Sequence, residues 1–260
     1  MLTTAKTLKG FRLDGLDGGF GSIESFYFDD KYWAVRYLVA DTGGWLGGTQ
    51  VLVSPLARLQ VDLEKRSVSV GLTRAQMEKC PPLGSHLPVS QQYEKDYFGY
   101  YGFPEYWAGP FLWGAHPYLH PQDPTRRPPA GSKAAWDPHL RSTAAVTGYH
   151  VQASDGAIGH VDDFIIDDDT WAIRYLLVDT RNWWPGRKVL VSPRWIEGVS
   201  WPDSTVTLRL TRELVFRSPA YSEQALLTRD YEDDLHRHYN DKGYWVAERD
   251  ARRQFEASLQ

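Results

Sequence analysis

Carboxylates are the first residues in this chain whose type and grouping could support chemistry. Asp162, Asp163 and the run Asp167-Asp168-Asp169 supply the hard oxygen ligands that Ca²⁺ or Mg²⁺ prefers. They lack the spaced pattern of a cation-binding loop, and Asp is also favoured in turns because its side chain hydrogen-bonds the local backbone. We therefore interpret these five residues as turn and surface residues and predict no metal site.

The histidines and the cysteine offer no better arrangement. His236 and His238 lie two apart on a predicted helix, so their side chains point about 200° apart. His116 and His120 are four apart, but adjoining prolines disfavour a helix there. Cys80 has no neighbour that would activate it, and the chain contains no nucleophile elbow, phosphate-binding glycine loop or zinc-helix motif. The sequence predicts no catalytic residue and no cofactor, so we expect a protein that is not an enzyme.

A mixed group of cations and tryptophans is the strongest candidate for binding. It comprises Arg181, Trp183, Trp184, Arg187 and Lys188. Cations beside stacking rings can hold single-stranded nucleic acid, and Trp and Arg are also the residues most common at protein hot spots. Two interpretations are therefore open, a nucleic-acid site and a docking surface for an acidic protein.

The composition is that of an ordinary globular protein. The 260 residues are 42% hydrophobic and 24% charged with a net charge of -4, which excludes a wholly disordered, collagen-like or coiled-coil chain. No apolar run approaches the roughly 20 residues that span a bilayer. Without a leader or a possible internal disulfide, we expect a cytoplasmic protein that does not insert into membranes. The 14% aromatic content exceeds the needs of packing and predicts rings at interfaces.

The elements that must position these residues occur twice. Similar stretches begin at Gly10 and Gly148 and keep this offset without a gap, which indicates duplication. The matched segments are Asp17-Gly18 with Asp155-Gly156, Trp33 to Leu38 with Trp171 to Leu176, Val51 to Pro55 with Val189 to Pro193, and Tyr106-Trp107 with Tyr244-Trp245. We predict a first unit over 1–107, a proline-rich connector over 108–147 and a second unit over 148–260.

The duplication bears on the cationic group, because the first copy lacks it. The positions that match Arg181, Arg187 and Lys188 are Gly43, Thr49 and Gln50. The duplicated fold therefore does not require this charge, which favours a docking surface for an acidic protein and disfavours nucleic acid. If the loop is buried, the aromatic connector from Phe111 to His120 is the next candidate.

Each unit is predicted to form a set of short strands followed by one helix. Asp-Gly hairpin turns at 17–18 and 155–156 join strand-like runs, and the runs 33–40 and 171–178 are apolar on both faces, as in a small barrel covered on its outside. Apolar residues spaced by four then predict a helical stripe in each copy. These residues are Val89, Tyr93, Tyr97 and Tyr101 in the first copy, and Leu227, Tyr231, Leu235 and Tyr239 in the second.

Four residues are predicted to be structural. Arg36 and Arg174 lie in apolar strands, where a charge is costly unless it is paired, so each should bond a carboxylate or carbonyls and fix the packing. Trp107 and Trp245 should pack against the strands of the barrel. Beyond these packing residues, we expect no acid, base or nucleophile to recur in both copies.

These segments resemble the PRC-barrel domain. The Gly-Tyr-x-Val start, the Asp-Gly-x-x-Gly hairpin, the Trp-x-Ile-Arg-Tyr-Leu strand and the Val-Leu-Val-Ser-Pro segment carry the resemblance over residues 8–80 and 146–218. The domain is shared by the cytoplasmic part of the photosynthetic reaction-centre H subunit and a ribosome-maturation factor. The resemblance implies a mainly β protein with two tandem small barrels, each followed by an amphipathic helix and a Tyr-Trp arm. A pseudo-two-fold rotation should relate the two copies, as in a dimer.

The function expected from these observations is a non-enzymatic protein-interaction or adaptor module with an unidentified protein partner. Two alternatives are a role like that of the reaction-centre H subunit in a photosynthetic electron-transfer complex, and a ligand- or RNA-binding protein that uses the cleft between the copies. The expected assembly is a monomer with an internal pseudo-dimer, or a homodimer.

Overall fold

The structure is a computed structural model that describes residues 1–46, 50–81, 89, 91–117, 119, 140–180, 187–222 and 227–258. The strands are β1 (Leu2–Thr4), β2 (Arg12–Gly15), β3 (Gly18–Asp29), β4 (Ala34–Asp41), β5 (Gln50–Val53), β6 (Gln60–Asp62), β7 (Ser67–Ser69), β8 (Leu140–Ser142), β9 (His150–Ala153), β10 (Gly156–Asp167), β11 (Ile173–Asp179), β12 (Lys188–Val191), β13 (Ile196–Ser200) and β14 (Thr205–Leu208). The helices are α1 (Ala5–Leu8), α2 (Arg74–Glu78), α3 (Gln91–Tyr101), α4 (Thr143–Val146), α5 (Arg212–Phe216), α6 (Arg229–His238) and α7 (Tyr244–Ser258).

The fold is mainly β and contains two mixed sheets of seven strands. One sheet runs β5-β4-β3-β2-β7-β6, with β8 added on β3, and the other runs β12-β11-β10-β9-β14-β13, with β1 added on β10. All neighbours are antiparallel except β2 with β7 and β9 with β14. The prediction of a mainly β protein is confirmed.

The expected closed barrels are not what the described strands form. The strands at the two ends of each sheet are β5 and β6 in one and β12 and β13 in the other. Within the described ranges, these end strands do not pair with each other. The strands at the two ends are three to five residues long and offer few backbone groups for a closing pair. The long strands β3 and β10 divide one edge between two partners. Part of that edge pairs with β2 or β9, and the remainder accepts a short strand from the other half.

The two halves exchange these short strands. Leu2 of β1 lies opposite Asp167 of β10, and Leu140 of β8 lies opposite Asp29 of β3, so the register is the same at equivalent positions of the two copies. The residues of β8 and α4, which the sequence placed in the connector, are therefore the counterparts of β1 and α1. The duplication accordingly starts before Gly10 and Gly148.

A direct backbone contact also joins the halves. Ala34 and Ala172 form an antiparallel bridge, and the amides of Val35 and Ile173 each donate to the carbonyl of the opposite tryptophan at 2.7 Å. Those residues, Trp33 and Trp171, have φ angles of 53° and 58°, a conformation that costs a bulky residue about 1–3 kcal/mol. The reciprocal hydrogen bonds hold both tryptophans in it.

The predicted helices are present, and the segments after them differ. The stripe residues Tyr97 and Leu235 are fully buried on α3 and α6. Trp107 and Trp245 are half-buried, against Phe98 at 5.1 Å and His236 at 5.2 Å between ring centroids. The second Tyr-Trp pair begins α7, which the sequence did not predict, whereas the first lies in a turn.

Helices of the described ranges are too short or too polar to cross a bilayer. The 15-residue helix α7 is the longest of them and carries several charged side chains.

Candidate binding groove between the two halves

A buried ion pair recurs in each half and organises the region between them. Asp29 ends β3 and Asp167 ends β10, and the tight turn that follows brings each carboxylate back to an arginine seven residues later. Arg36 Nε bonds Asp29 Oδ2, and both side chains are fully buried. Arg174 bonds Asp167 through Nε at 3.0 Å and through Nη2 at 2.5 Å. Each arginine thus meets a carboxylate inside the structure, as a charge in an apolar strand requires.

The first arginine is enclosed by the segment that follows α3. Arg36 Nη1 donates to the carbonyl of Leu112 at 2.7 Å. Its guanidinium lies 4.0 Å from the ring centre of Tyr106 and 4.6 Å from that of Trp113. Both distances are within the range of cation–π attraction.

The second arginine meets α7 instead. Arg174 Nη1 donates to Glu248 Oε1 at 2.5 Å, and its guanidinium lies 3.8 Å from the ring centre of Tyr244. Burial alone would raise the pKa of Asp167, but the charge and hydrogen bonds of Arg174 lower it below its ordinary value. Burial also opposes the charge of Arg174, yet Asp167 and Glu248 raise its pKa overall. The ion pair is therefore charged over the working pH range.

A second buried network also recurs, contrary to the expectation that no acid would do so. In the first half, Tyr37 and Tyr106 donate to Glu94 Oε1 at 3.0 and 2.8 Å. In the second half, Tyr175 donates to Glu232 Oε1 at 2.9 Å.

The signal was present in the sequence, because the repeated Tyr-Glu pairs at 93–94 and 231–232 carry these acids. The apolar stripe with four-residue spacing includes the tyrosines at 93 and 231 but not the neighbouring glutamates. Glu94 and Glu232 are 3% and 2% exposed, so both acids belong to the packing between helix and sheet.

The acidic residues considered for a cation are engaged within the chain. Asp162 lies between Lys6 at 2.7 Å and Lys188 at 3.0 Å. Asp163 accepts from the backbone amides of Lys6 and Phe164. The carboxylates of residues 167–169 lie together at the turn after β10, where Asp167 is held by Arg174.

The histidines and the cysteine also have structural surroundings. His236 Nε2 lies 3.0 Å from the hydroxyl of Tyr175, whereas His238 Nε2 lies 2.8 Å from the carbonyl of Leu214. The two rings therefore face different partners, as their spacing predicted. His116 packs edge-on against Phe255, and burial raises the pKa of the Cys80 thiol. His120 lies outside the described residues.

The predicted docking loop is only partly described. Arg181, Trp183 and Trp184 lie outside the described residues. Arg187 donates to the carbonyl of Ser218, and Lys188 pairs with Asp162. The two described cations of the loop are thus bound to groups of this chain.

A concave surface of the described region lies between the halves. This feature, which we call the inter-half groove, has a volume of about 540 Å³. Its walls come from the turn after β3, from the start of β11, from the Ser-Pro turn after β12, from α7 and from the connector. The lining residues are Lys31, Tyr32, Trp33, Pro110, Phe111, Leu112, Pro117, Ala172, Ile173, Arg174, Ser192, Pro193, Arg194, Tyr244, Ala247, Glu248 and Ala251.

The groove includes part of the connector that the sequence offered as the next candidate after the loop. Phe111 also meets Phe255 of α7 edge-on at 6.1 Å, so the connector and the last helix touch beside the groove. The groove itself has no local signal in the sequence, because its walls come from segments as distant in the chain as Lys31 and Ala251.

Comparison with known proteins does not identify the chain. No family model matches it, and no curated protein is significantly similar to it.

Proposed function

We propose that this protein is a non-enzymatic interaction module that docks an acidic protein segment in the inter-half groove. The module consists of two units of the PRC-barrel type, related by an approximate two-fold rotation, and acts in the cytoplasm as a monomer with an internal pseudo-dimer. The observation that carries the proposal is the groove, an apolar concave surface that both halves build together.

The two-fold relation is supported by the reciprocity of the contacts. Strand β1 pairs with β10 in the register that β8 keeps with β3. The amides of Val35 and Ile173 make equivalent hydrogen bonds across the centre. Contacts in which residue i meets j and j meets i are those of a two-fold interface.

The chemistry of the walls favours a partner with apolar and acidic side chains. The floor is mostly aliphatic and aromatic, while Lys31 and Arg194 lie at the rim with exposed side chains. Glu248, the one carboxylate among the described lining residues, already pairs with Arg174. Arg194 pairs with Asp241 at 3.4 Å, so the attraction of an acidic group beside an apolar anchor is assigned to Lys31.

The titratable groups that recur in both halves have structural roles, and this supports a binding function over a catalytic one. The buried networks around Glu94 and Glu232 tie helix to sheet in both halves. The arginine pairs join strands, turns and α7. These groups make hydrogen bonds and ion pairs within the protein. The groove beside them offers a concave apolar surface to a partner.

A small-molecule ligand is the second candidate. A volume of about 540 Å³ falls within the range of small-ligand sites, which are concave, largely apolar and carry a few polar groups. Here the polar groups would be Arg174 and Ser192.

The test is to fill the groove and measure partner capture from a nuclease-treated lysate of the native host. Ala247→Trp places a large ring in the groove, and Ala257→Trp puts the same ring on an exposed part of α7 away from it. We expect captured partner to fall at least tenfold with Ala247→Trp and to be unchanged with Ala257→Trp. Equal capture by both variants would contradict the assignment of the groove.

A further inference from the structure

A tryptophan of the chain itself, Trp113, fills the site beside Arg36 between the two halves. Trp113, 3% exposed, donates its indole N–H to the carbonyl of Thr170 at 3.0 Å. Its ring covers the guanidinium of Arg36 at 4.6 Å, and Tyr106 lies 4.0 Å from the same guanidinium. Trp113 thus sits where a turn of the second half meets the arginine of the first half.

The corresponding residues on the other side line the inter-half groove. In the alignment of the two copies, Thr170 corresponds to Tyr32 and Arg36 corresponds to Arg174. Both Tyr32 and Arg174 border the groove. The groove is therefore the counterpart of the site that Trp113 occupies.

Among its described residues, the second half does not supply an equivalent of Trp113. After Tyr244 the chain continues as α7, where Glu248 accepts from Arg174 as the carbonyl of Leu112 accepts from Arg36. Within the described residues, Arg174 has one aromatic ring over its guanidinium, that of Tyr244 at 3.8 Å. The side chains that α7 presents to the groove at 247 and 251 are alanines.

We propose that the inter-half groove binds a tryptophan side chain of the partner segment. The partner's indole ring covers Arg174 and its N–H donates to the carbonyl of Tyr32, as Trp113 does with Arg36 and Thr170. Acidic residues flank this tryptophan, because Lys31 occupies the position that Asp169 holds beside Thr170. This inference rests on the proposed function and names the anchor that the docked segment carries.

The probe is a fluorescein-labelled peptide with the sequence of residues 110–115, which includes Trp113, extended by one aspartate at each end. Matched peptides carry alanine or leucine in place of the tryptophan. Binding is measured by fluorescence anisotropy with the full-length protein and with its Ala247→Trp and Ala257→Trp variants.

We expect the tryptophan peptide to bind the wild-type protein and Ala257→Trp equally, and Ala247→Trp at least tenfold more weakly. The alanine and leucine peptides should bind the wild-type protein roughly tenfold more weakly, because they lose the ring and the N–H donor. Circular dichroism of each variant checks that the fold is retained.

The outcomes separate the two proposals. If leucine or alanine peptides bind as tightly as the tryptophan peptide and Ala247→Trp weakens all three, the tryptophan anchor is wrong and the docking groove stands. If Ala247→Trp binds every peptide as the wild type does, both proposals are wrong. If no peptide binds, the anchor is wrong, and the capture experiment decides the docking function separately.

Discussion

At the scale of single residues, the buried arginine–aspartate pairs are the contacts whose loss should matter most. Asp29 and Arg36 are fully buried, so removing one partner leaves an uncompensated charge inside the protein. Such a change typically costs about 3–5 kcal/mol, although a pair replaced together by apolar groups costs much less.

We expect Arg36→Met to lower the free energy of unfolding by about 3–5 kcal/mol, measured by urea denaturation. The double variant Asp29→Asn with Arg36→Met should recover part of this loss, because no buried charge then remains. The matched control is Arg217→Met, whose exposed side chain pairs with Glu213 on the surface and should change stability little. A loss below about 1 kcal/mol for Arg36→Met would contradict the account of the buried pair.

His236 differs in chemistry from its counterpart in the first half. Its counterpart in the first copy is Phe98, and both rings pack against the tryptophan that follows their helix. His236 is buried, with Tyr175 3.0 Å from its Nε2 and the Asp241 carboxylate 3.7 Å from its Nδ1. Burial lowers the pKa of His236 below its ordinary value, against the attraction of Asp241.

This lowered pKa predicts a loss of stability in acid. Below an ordinary histidine pKa of about 6.5 the unfolded chain binds a proton that the folded protein resists. The contribution of His236 to stability is therefore complete above that pH and declines as the pH falls through it. His236→Phe should flatten the stability profile between pH 7 and 5 in urea titrations, whereas His150→Phe, at an exposed site, should leave the profile unchanged. A variant His236→Phe with the wild-type slope would show that this histidine does not titrate as described.

At the scale of elements, the exchange of β1 and β8 places the first residues of the chain on the second sheet. Lys6 reinforces this position, because its backbone amide bonds Asp163 and its ammonium bonds Asp162. The stability of β10 should therefore depend on a segment that is distant from it in sequence.

Deleting residues 1–9 should expose β10 more than β3. We expect faster amide hydrogen exchange over 163–167, which pair with or contact this segment, while 27–29 keep their protection through β8. Deleting 140–147 is not equivalent, since it also shortens the chain that connects the two halves. Protection lost mainly in the first sheet would contradict the strand exchange.

Local sequence patterns predicted the elements that have a repeated buried face. They did not predict the strands whose pairing partners are distant in the sequence. The four-residue spacing around Tyr97 and Leu235 identified α3 and α6, because one buried stripe is enough to define a helix. Strands β1 and β8 have three residues each, too few to show alternation, and their partners lie in the other half.

At the scale of the whole molecule, the two halves share one scaffold and surround their buried arginines differently. The first half encloses Arg36 with Trp113, and the second half leaves Arg174 at the wall of the groove. The arginines, turns and strands were predictable from the repeat. The groove was not predictable, because the second half continues as α7 where the first half continues as the connector.

Removing the internal tryptophan should create a cavity that indole can fill. Trp113→Ala deletes a ring that is 3% exposed and should lower the free energy of unfolding by about 3–5 kcal/mol. Added indole should raise the melting temperature of this variant more than that of the wild type, since apolar cavities bind matching apolar ligands. An equal response in the two proteins would contradict the role assigned to Trp113.

The central claim is that the inter-half groove is the binding site, and methyl NMR of the full-length protein tests it most directly. With ¹³C-labelled alanine and isoleucine methyl groups, the tryptophan peptide is titrated and each methyl shift is followed. The account predicts large shifts for Ala247, Ala251 and Ile173, which line the groove, and none for the exposed Ala257. Saturable shifts confined to methyl groups outside the groove would contradict it.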